Sequence, residues 1–310
     1  MALRADGAGV GSLSVAGPTV PIGAWDARAG RGGVVRFGFV GTQGPPSAMV
    51  GLAELLEEAG WDGFFTWDAL AVPGSDGWDP WALLASAAVR TSRVRLGAMV
   101  FAPARHAAAT LARQVQTVDH LSGGRLVLPV GLGVDDDAAY SSLGREISVR
   151  DRAAALDDAL AVLEAAAEGG SVTVHGRCTT VEDVTFAPGT VQRPRVPVWV
   201  VGAWPSRRSL ERAAHWDGLV VQRLRSHDPV DDEVVRGSLE LIGERREAEG
   251  RIGPYEVVVS EPVPEDPAEA ADRAAALADW GVTWWVHADW APGTPLSAHL
   301  ARAGLGPPTI

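Results

Sequence analysis

The chain has 310 residues, of which 46% are hydrophobic, so it is long enough to bury the core of one barrel-sized domain with extensions. Its formal net charge of −12 at pH 7 is spread without long runs, which argues against a nucleic acid or an anionic membrane as partner. A single cysteine, Cys178, excludes an intramolecular disulfide framework, and with no apolar run approaching about 18 residues we expect a cytoplasmic protein without a transmembrane helix.

The first 33 residues are rich in Gly, Ala, Ser and Pro and have no sustained hydrophobic period. We expect them to form a disordered N-terminal extension, so that one folded domain spans 34–310. They also lack the continuous apolar segment of a signal peptide.

Strand and helix patterns alternate after this extension. Apolar runs at 37–40 and 63–67 predict the first two strands. The helical face between them ends at Gly60, a residue type that commonly caps helices. Pro80 is expected to open the next helix at its first turn, and that helix should run to about Arg90.

The middle of the chain reads as a strand, a helix and a strand. The apolar run 94–103 ends at a proline-containing loop, a helix-period segment follows, and a Ser-Gly-Gly turn leads into the apolar run 126–133. Both strands lack polar alternation, which is typical of parallel strands buried on two faces. Glycines at the carboxyl end of such a strand let a ligand approach the backbone closely.

The second half continues the alternation after one interruption. Two β-patterned segments, 172–177 and 180–182, predict a hairpin inserted before the fifth strand. Four further strands are predicted at 198–202, 218–221, 255–259 and 282–286, with helices between them. About eight strand-then-helix units are what a closed (β/α)8 TIM barrel needs, and the absence of a Gly-x-Gly-x-x-Gly turn after the first strand argues against an open doubly wound sheet. We therefore predict the barrel.

Four titratable residues follow predicted strands, at the end where such barrels place their active sites. Asp68 could position a proton or cap a helix, and His106 could donate a proton or lie alone on the surface. Glu261 and His287 end the seventh and eighth strands. They could form an acid–base pair on the substrate side, or have separate roles in their loops.

The fifth strand leads into a candidate anion site. A glycine is followed there by a helix N-terminus, whose amides and dipole favour a phosphate, with Ser206, Arg207 or Arg208 assisting. Two solvated arginines are the alternative. Three adjacent carboxylates at 135–137 suggest a metal at first sight. Consecutive loop residues rarely converge on one ion, however, so we predict no metal site.

Several of these segments together resemble the luciferase-like monooxygenase family of flavin and deazaflavin enzymes. The resemblance runs from Arg36 to the end of the chain and rests on the segments 52–67, 79–91, 94–133, 191–205, 216–218 and 281–286. It implies a (β/α)8 barrel of the bacterial luciferase type, a homodimer, and FMN or coenzyme F420 in the barrel mouth, stacked over the end of the third strand. Deazaflavin members often have a non-prolyl cis peptide in that strand, which would fall near Met99–Val100.

The resemblance and the anion argument assign cofactor binding to residues at the strand ends. These are Trp67, Met99, Val100, Phe101, Gly131, Gly133, Gly202, Ala203, Trp204, Arg207 and Arg208. The apolar ones at the end of the third strand could equally be core. Two positions depart from relatives: a His after the strand-two Asp is Ala69 here, and a Glu after the strand-four glycines is Val134. Proton donors must then come from the four titratable residues above, or the reaction has been lost.

We therefore predict an oxidoreductase that uses F420 or FMN and acts on a small organic substrate, in secondary metabolism or in the degradation of an organic compound. The family branch favours F420. One alternative is an FMN-dependent monooxygenase served by a separate flavin reductase. Another is a barrel that binds a ligand, or works without a cofactor, and a mouth blocked by Trp67, Trp78 or Trp204 would favour it.

Overall fold

The computed structural model describes residues 20–21, 35–72, 76–134, 137, 140, 148–226, 228–291 and 293–309. Strands and helices alternate along these ranges. The strands are β1 (Val20–Pro21), β2 (Arg36–Val40), β3 (Gly63–Thr66), β4 (Arg95–Ala98), β5 (Leu128–Val130), β6 (Ser171–His175), β7 (Thr180–Thr185), β8 (Gln192–Arg193), β9 (Val198–Trp204), β10 (Gly218–Arg223), β11 (Glu256–Glu261) and β12 (Trp284–His287). The helices are α1 (Pro46–Glu58), α2 (Pro80–Arg90), α3 (Ala108–Ser122), α4 (Val149–Ala167), α5 (Arg207–Ala214), α6 (Asp232–Ala248), α7 (Pro267–Asp279) and α8 (Leu296–Gly304).

Eight of the described strands form one parallel sheet in the order β4-β3-β2-β12-β11-β10-β9-β5. The two end strands are joined by parallel bridges between Leu96 and Leu126 and between Phe101 and Val130, so the sheet curls into a ring. Each barrel strand is followed by a helix, which is the arrangement of a TIM barrel. The predicted fold is therefore confirmed.

The predicted hairpin before the fifth barrel strand is also present. Strands β6 and β7 pair antiparallel between α4 and β9, the fifth strand of the barrel. Its turn is tied to α4, because Asp158 accepts hydrogen bonds from the backbone amides of Cys178 at 2.5 Å and Thr179 at 2.9 Å. A Cβ at Gly176 would lie 2.2 Å from the Asp158 carboxyl carbon, so only glycine leaves room for this carboxylate.

Helix boundaries follow local capping signals. Asp79 accepts a hydrogen bond from the Ala82 amide at 2.7 Å, and Pro80 fixes the first turn of α2, which runs to Arg90 as predicted. The helix predicted from Pro205 begins instead at Arg207. The helix predicted from about residue 228 begins at Asp232, one residue after its cap, Asp231.

The inside of the barrel is filled by large side chains from alternate strand positions. Phe65, Trp199 and Trp284 meet across the axis, with ring centroids 5.4 to 6.2 Å apart. All three are at most 2% exposed. A Cβ at Gly38 or at Gly63 would lie 2.7 Å from the Phe65 ring, so small residues opposite it make room for this plug. The barrel is therefore closed below its carboxyl end.

The predicted disorder of 1–33 lies outside the described residues, apart from Val20–Pro21. That pair forms a short parallel ladder with Gln192–Arg193. None of the helices in the described ranges has both the length and the apolar character needed to cross a membrane.

Candidate active site

The wall of the barrel mouth is built from the last inward-facing residue of each strand or the first beyond it. Strand alternation and register bring these residues to the axis: Val40, Trp67, Met99, Gly131, Ala203, Gln222, Ser260 and Ala288. None of these wall residues, all of which the structure describes, has a titratable side chain. The Ser260 hydroxyl is buried without a hydrogen-bond partner among described residues, so it is free to bond a ligand.

The end of β4 forms an apolar floor for the mouth. The Met99–Val100 peptide is cis, at the position that the resemblance implied. Met99 is buried in the inner cluster, and Val100 packs against the same cluster together with Val201. Phe101 does not join them, because its ring stacks on Trp81 of α2 with centroids 4.5 Å apart. The assignment of Phe101 to the cofactor is thus corrected: it packs between strand and helix.

A buried group of charged side chains stands beside the mouth, on the loops after β3, β4 and β5. We call Asp68, Arg105, His106 and Asp137 the Asp68 cluster. Asp68 Oδ2 lies 2.9 Å from His106 Nε2 and accepts the Ala102 amide at 2.9 Å, while its Oδ1 lies 2.9 Å from Arg105 Nη2. The cluster brings together two of the four predicted catalytic residues, Asp68 and His106.

The protonation state of Asp68 fixes the tautomer of His106. Burial alone raises the pKa of Asp68, but the His106 hydrogen bond and the Arg105 charge outweigh it, so the pKa lies below its usual value. An ionised carboxylate only accepts hydrogen bonds, so His106 Nε2 carries the hydrogen. In the neutral ring, Nδ1 then has the free lone pair. The side chain is 20% exposed, which leaves it open to exchange a proton.

Sequence reasoning missed Arg105 and the role of Asp137. Arg105 forms ion pairs with both Asp68 and Asp137. Asp137 also accepts the amides of Leu70 at 3.1 Å and Ala71 at 3.2 Å. It therefore ties the loop after β5 to the loop after β3. The other two aspartates of this run lie outside the described residues, and among described side chains no group of three or more could hold a metal ion.

Glu261 and His287 do not form the predicted acid–base pair on the substrate side. Their strands place them side by side, but one position out of phase with the inward residues, so both face the helices. Arg273 of α7 binds both Glu261 oxygens, at 2.7 and 3.0 Å. The His287 ring packs 4.6 Å from Phe39, and its Nδ1 accepts the Val263 amide at 3.0 Å.

The glycines that were assigned to cofactor binding instead allow side chains of the protein to pack closely against the backbone. A Cβ at Gly131 would meet Val100 and Val201 at 2.9 and 3.1 Å. One at Gly202 would overlap Leu219 of β10 and Leu210 of α5, and one at Gly133, where φ is +79°, would overlap Tyr140. The room that these glycines provide is taken by side chains of the chain itself.

The N-terminus of α5 is partly available to an anion. The amide of Ala203, a residue assigned to cofactor binding, donates to Ser209 Oγ at 2.9 Å. Arg207 pairs with Glu211 one helical turn away, at 3.0 Å. Arg208 is exposed and makes no hydrogen bond or ion pair with a described residue. Arg208 and the first amides of α5 are thus the groups that remain for a ligand.

Three tryptophans were considered as candidates to block the mouth. Trp204 packs against Gly237 of α6, away from the axis, because a Cβ at that glycine would lie 2.6 Å from its ring. The Trp78 indole N–H donates to the Gly44 carbonyl at 2.9 Å. Trp67 faces the mouth, where its ring meets Trp290 with centroids 6.2 Å apart at an angle of 37°.

Comparison with known proteins identifies the family of this chain. The family model of the luciferase-like monooxygenases matches residues 33–304. The chain belongs to this family. It is also 30% identical over 211 residues to the uncharacterized protein Rv0953c of Mycobacterium tuberculosis, an alignment that covers 66% of this chain and 67% of that protein.

Solved structures agree with the luciferase-like fold. A coenzyme F420-dependent tetrahydromethanopterin reductase from Methanopyrus kandleri has a TM-score of 0.72 at 15% identity, covering 88% of this chain and 98% of that chain. The oxygenating constituent of 3,6-diketocamphane monooxygenase from Pseudomonas putida, in complex with FMN, has a TM-score of 0.56 at 16% identity, covering 77% and 70%. At these identities the likeness shows the shared fold.

Proposed function

We propose that this luciferase-like barrel is an oxidoreductase that uses coenzyme F420 or FMN and acts on a small organic substrate. The observation that carries the proposal is the neutral, largely apolar wall at the carboxyl ends of the strands, beside an available helix N-terminus. Enzymes of this fold bind their ligands at that end of the barrel. The relatives named above include an F420-dependent reductase and an FMN-bound monooxygenase.

The residues present fit a flavin-type group. Met99, Val100 and Val201 offer an apolar floor to a flat ring, while the Gln222 amide and the Ser260 hydroxyl can bond its polar edge. The first amides of α5 and the Arg208 guanidinium would hold a phosphate. When bound, such a group supplies hydride transfer, or oxygen activation when it is a reduced flavin.

We assign proton exchange in this function to the Asp68 cluster. Since no inward-facing side chain of the wall is titratable, we assign this role to the partly exposed His106, whose Nδ1 has no hydrogen-bond partner among the described residues. Asp68 keeps its tautomer fixed and stabilises the ring when it accepts a proton, as a carboxylate does for many catalytic histidines. Arg105 holds Asp68 in place.

A binding titration tests the proposal. The purified protein is titrated with F420 and, separately, with FMN, following the fluorescence of the cofactor ring. Arg208→Ala should weaken the binding of the cofactor by about tenfold, since one guanidinium–phosphate contact is lost. Arg90→Ala is the matched control, because Arg90 is an exposed arginine at the opposite end of the barrel.

The outcome also separates the alternatives. Tight F420 binding favours hydride chemistry without a partner protein, whereas tight FMN binding favours a monooxygenase served by a separate flavin reductase. Binding of neither cofactor by folded protein would refute the proposal and leave a ligand-binding or cofactor-free barrel. The homodimer implied by the resemblance belongs to the same proposal, and light scattering of the eluting protein would test it.

A further inference from the structure

Several loops at the barrel mouth carry a large, exposed apolar side chain. Among the described residues, five large apolar side chains stand exposed on loops that follow barrel strands. They are Leu70, Trp78, Val134, Leu224 and Trp290, which we call the apolar rim. Single exposed apolar residues are ordinary on protein surfaces, but a set that gathers at the mouth of a ligand-binding barrel marks a binding surface.

The wall below the apolar rim has the same character. Its described members are apolar, aromatic or neutral polar, and its polar groups, the Trp67 indole N–H, the Gln222 amide and the Ser260 hydroxyl, carry no charge. A charged substrate that entered here would lose hydration without meeting an opposite charge on the wall, which is costly. An uncharged molecule loses little and gains from burial of its apolar surface.

Trp290 is the aromatic member best placed to bind a ring. It is 47% exposed, and Trp67 supports it from one side at an angle of 37°. Its loop is held in place, because Asp289 accepts the Ala291 amide at 2.9 Å and the Thr294 hydroxyl at 2.8 Å. A supported indole with a free face is an efficient stacking surface, because little conformational freedom is lost when a ring binds to it.

From these observations we propose that the substrate is an uncharged molecule with a flat apolar ring system, which Trp290 binds at the apolar rim. The inference rests on the proposed function, since it names the class of substrate for that site. Arg225 stands exposed beside Leu224, so an anionic ring is the natural competitor. The experiment therefore includes one.

Isothermal titration calorimetry with two probes of matched shape tests the inference. They are 2-naphthol, which is uncharged at pH 7, and 2-naphthoate, which carries a carboxylate. Each is titrated into the protein alone and into the protein saturated with whichever cofactor it binds. We expect 2-naphthol to bind at least about tenfold more tightly than 2-naphthoate, because only the latter leaves a charge poorly solvated.

Variants then locate the binding surface. Trp290→Ala should weaken 2-naphthol binding about tenfold, and Trp290→Phe should restore most of it, since a smaller ring still stacks. Ile252→Ala is the matched control, because Ile252 is fully exposed at the opposite end of the barrel, in the loop before β11. It should leave both affinities unchanged.

Equal or tighter binding of 2-naphthoate by the cofactor-saturated protein, in which the anion site of α5 is occupied, would overturn the proposal, and so would a Trp290→Ala variant that binds 2-naphthol as the wild type does. If that variant instead turns a dimer into a monomer with unchanged probe binding, the apolar rim is an interface between two copies of the chain. If the protein binds a cofactor tightly but does not bind 2-naphthol, only the inference about the substrate is refuted. Failure of cofactor binding removes the proposed function, whatever the probes do.

Discussion

His287 should make the stability of this protein sensitive to mild acid. The ring is 7% exposed, packed against Phe39, and its Nδ1 already accepts the Val263 amide. Burial, followed by the nearby Arg302 and His299, lowers its pKa from 6.5 to about 4, although Asp289 acts in the opposite direction. The folded protein therefore keeps the ring neutral where the unfolded chain would protonate it.

The sign and size of the effect follow from this difference. A depressed pKa in the folded state contributes stability that is fully present above pH 6.5 and is lost as the pH falls toward about 4. One pKa unit corresponds to about 1.4 kcal/mol, so the total is about 3 kcal/mol, of which about 2 kcal/mol is already lost at pH 5. This is a large share of the stability of an ordinary domain.

The variant His287→Asn isolates the contribution. Its side-chain oxygen can still accept the Val263 amide, but it cannot be protonated in this range. We expect the free energy of unfolding, measured by reversible urea titration at pH 7 and at pH 5, to fall by about 2 kcal/mol less in the variant than in the wild type. The control is His175→Asn, which removes an exposed imidazole on β6. Parallel pH dependences of wild type and His287→Asn would refute the reasoning.

Two further predictions concern stability, both measured by urea unfolding. Arg125 is buried and donates to backbone carbonyls at the ends of α2 and α3, so Arg125→Lys, which cannot reach them all, should cost about 2 kcal/mol; an unchanged midpoint would contradict this. Gly189→Ala should cost about 1 to 3 kcal/mol, because the new Cβ would lie 2.3 Å from the Ala167 carbonyl oxygen. Gly243→Ala, within α6 and with nothing within 4 Å, should instead stabilise by about 0.5 to 1 kcal/mol, and equal effects of the two alanines would show that the space around them does not matter.

The barrel and its inserted hairpin could be predicted because their signals are local. The hydrophobic period of a few residues predicts a strand or a helix, and capping residues predict where it begins and ends. Helix α2 is an example, with a cap at Asp79, a proline at its first turn and an end at Arg90. Counting such units along the chain was enough to choose the TIM barrel over an open sheet.

Which side chains at the strand ends point to the barrel axis, and which to the helices, could not be predicted in the same way. Parallel strands buried on both sides have no polar alternation to mark which face meets the axis. Phe101, Glu261 and His287 were chosen for their nearness to strand ends, yet all three face the helices. The Arg105–Asp137 ion pair was missed for another reason: its partners are 32 positions apart on different loops, beyond the reach of any local period.

The aromatic plug of Phe65, Trp199 and Trp284 also has a kinetic consequence. With the amino end of the barrel filled, every molecule that binds in the mouth arrives and departs through one opening. In the proposed function, where a cofactor would lie below a substrate, we expect ordered kinetics in which the deeper ligand binds first and leaves last.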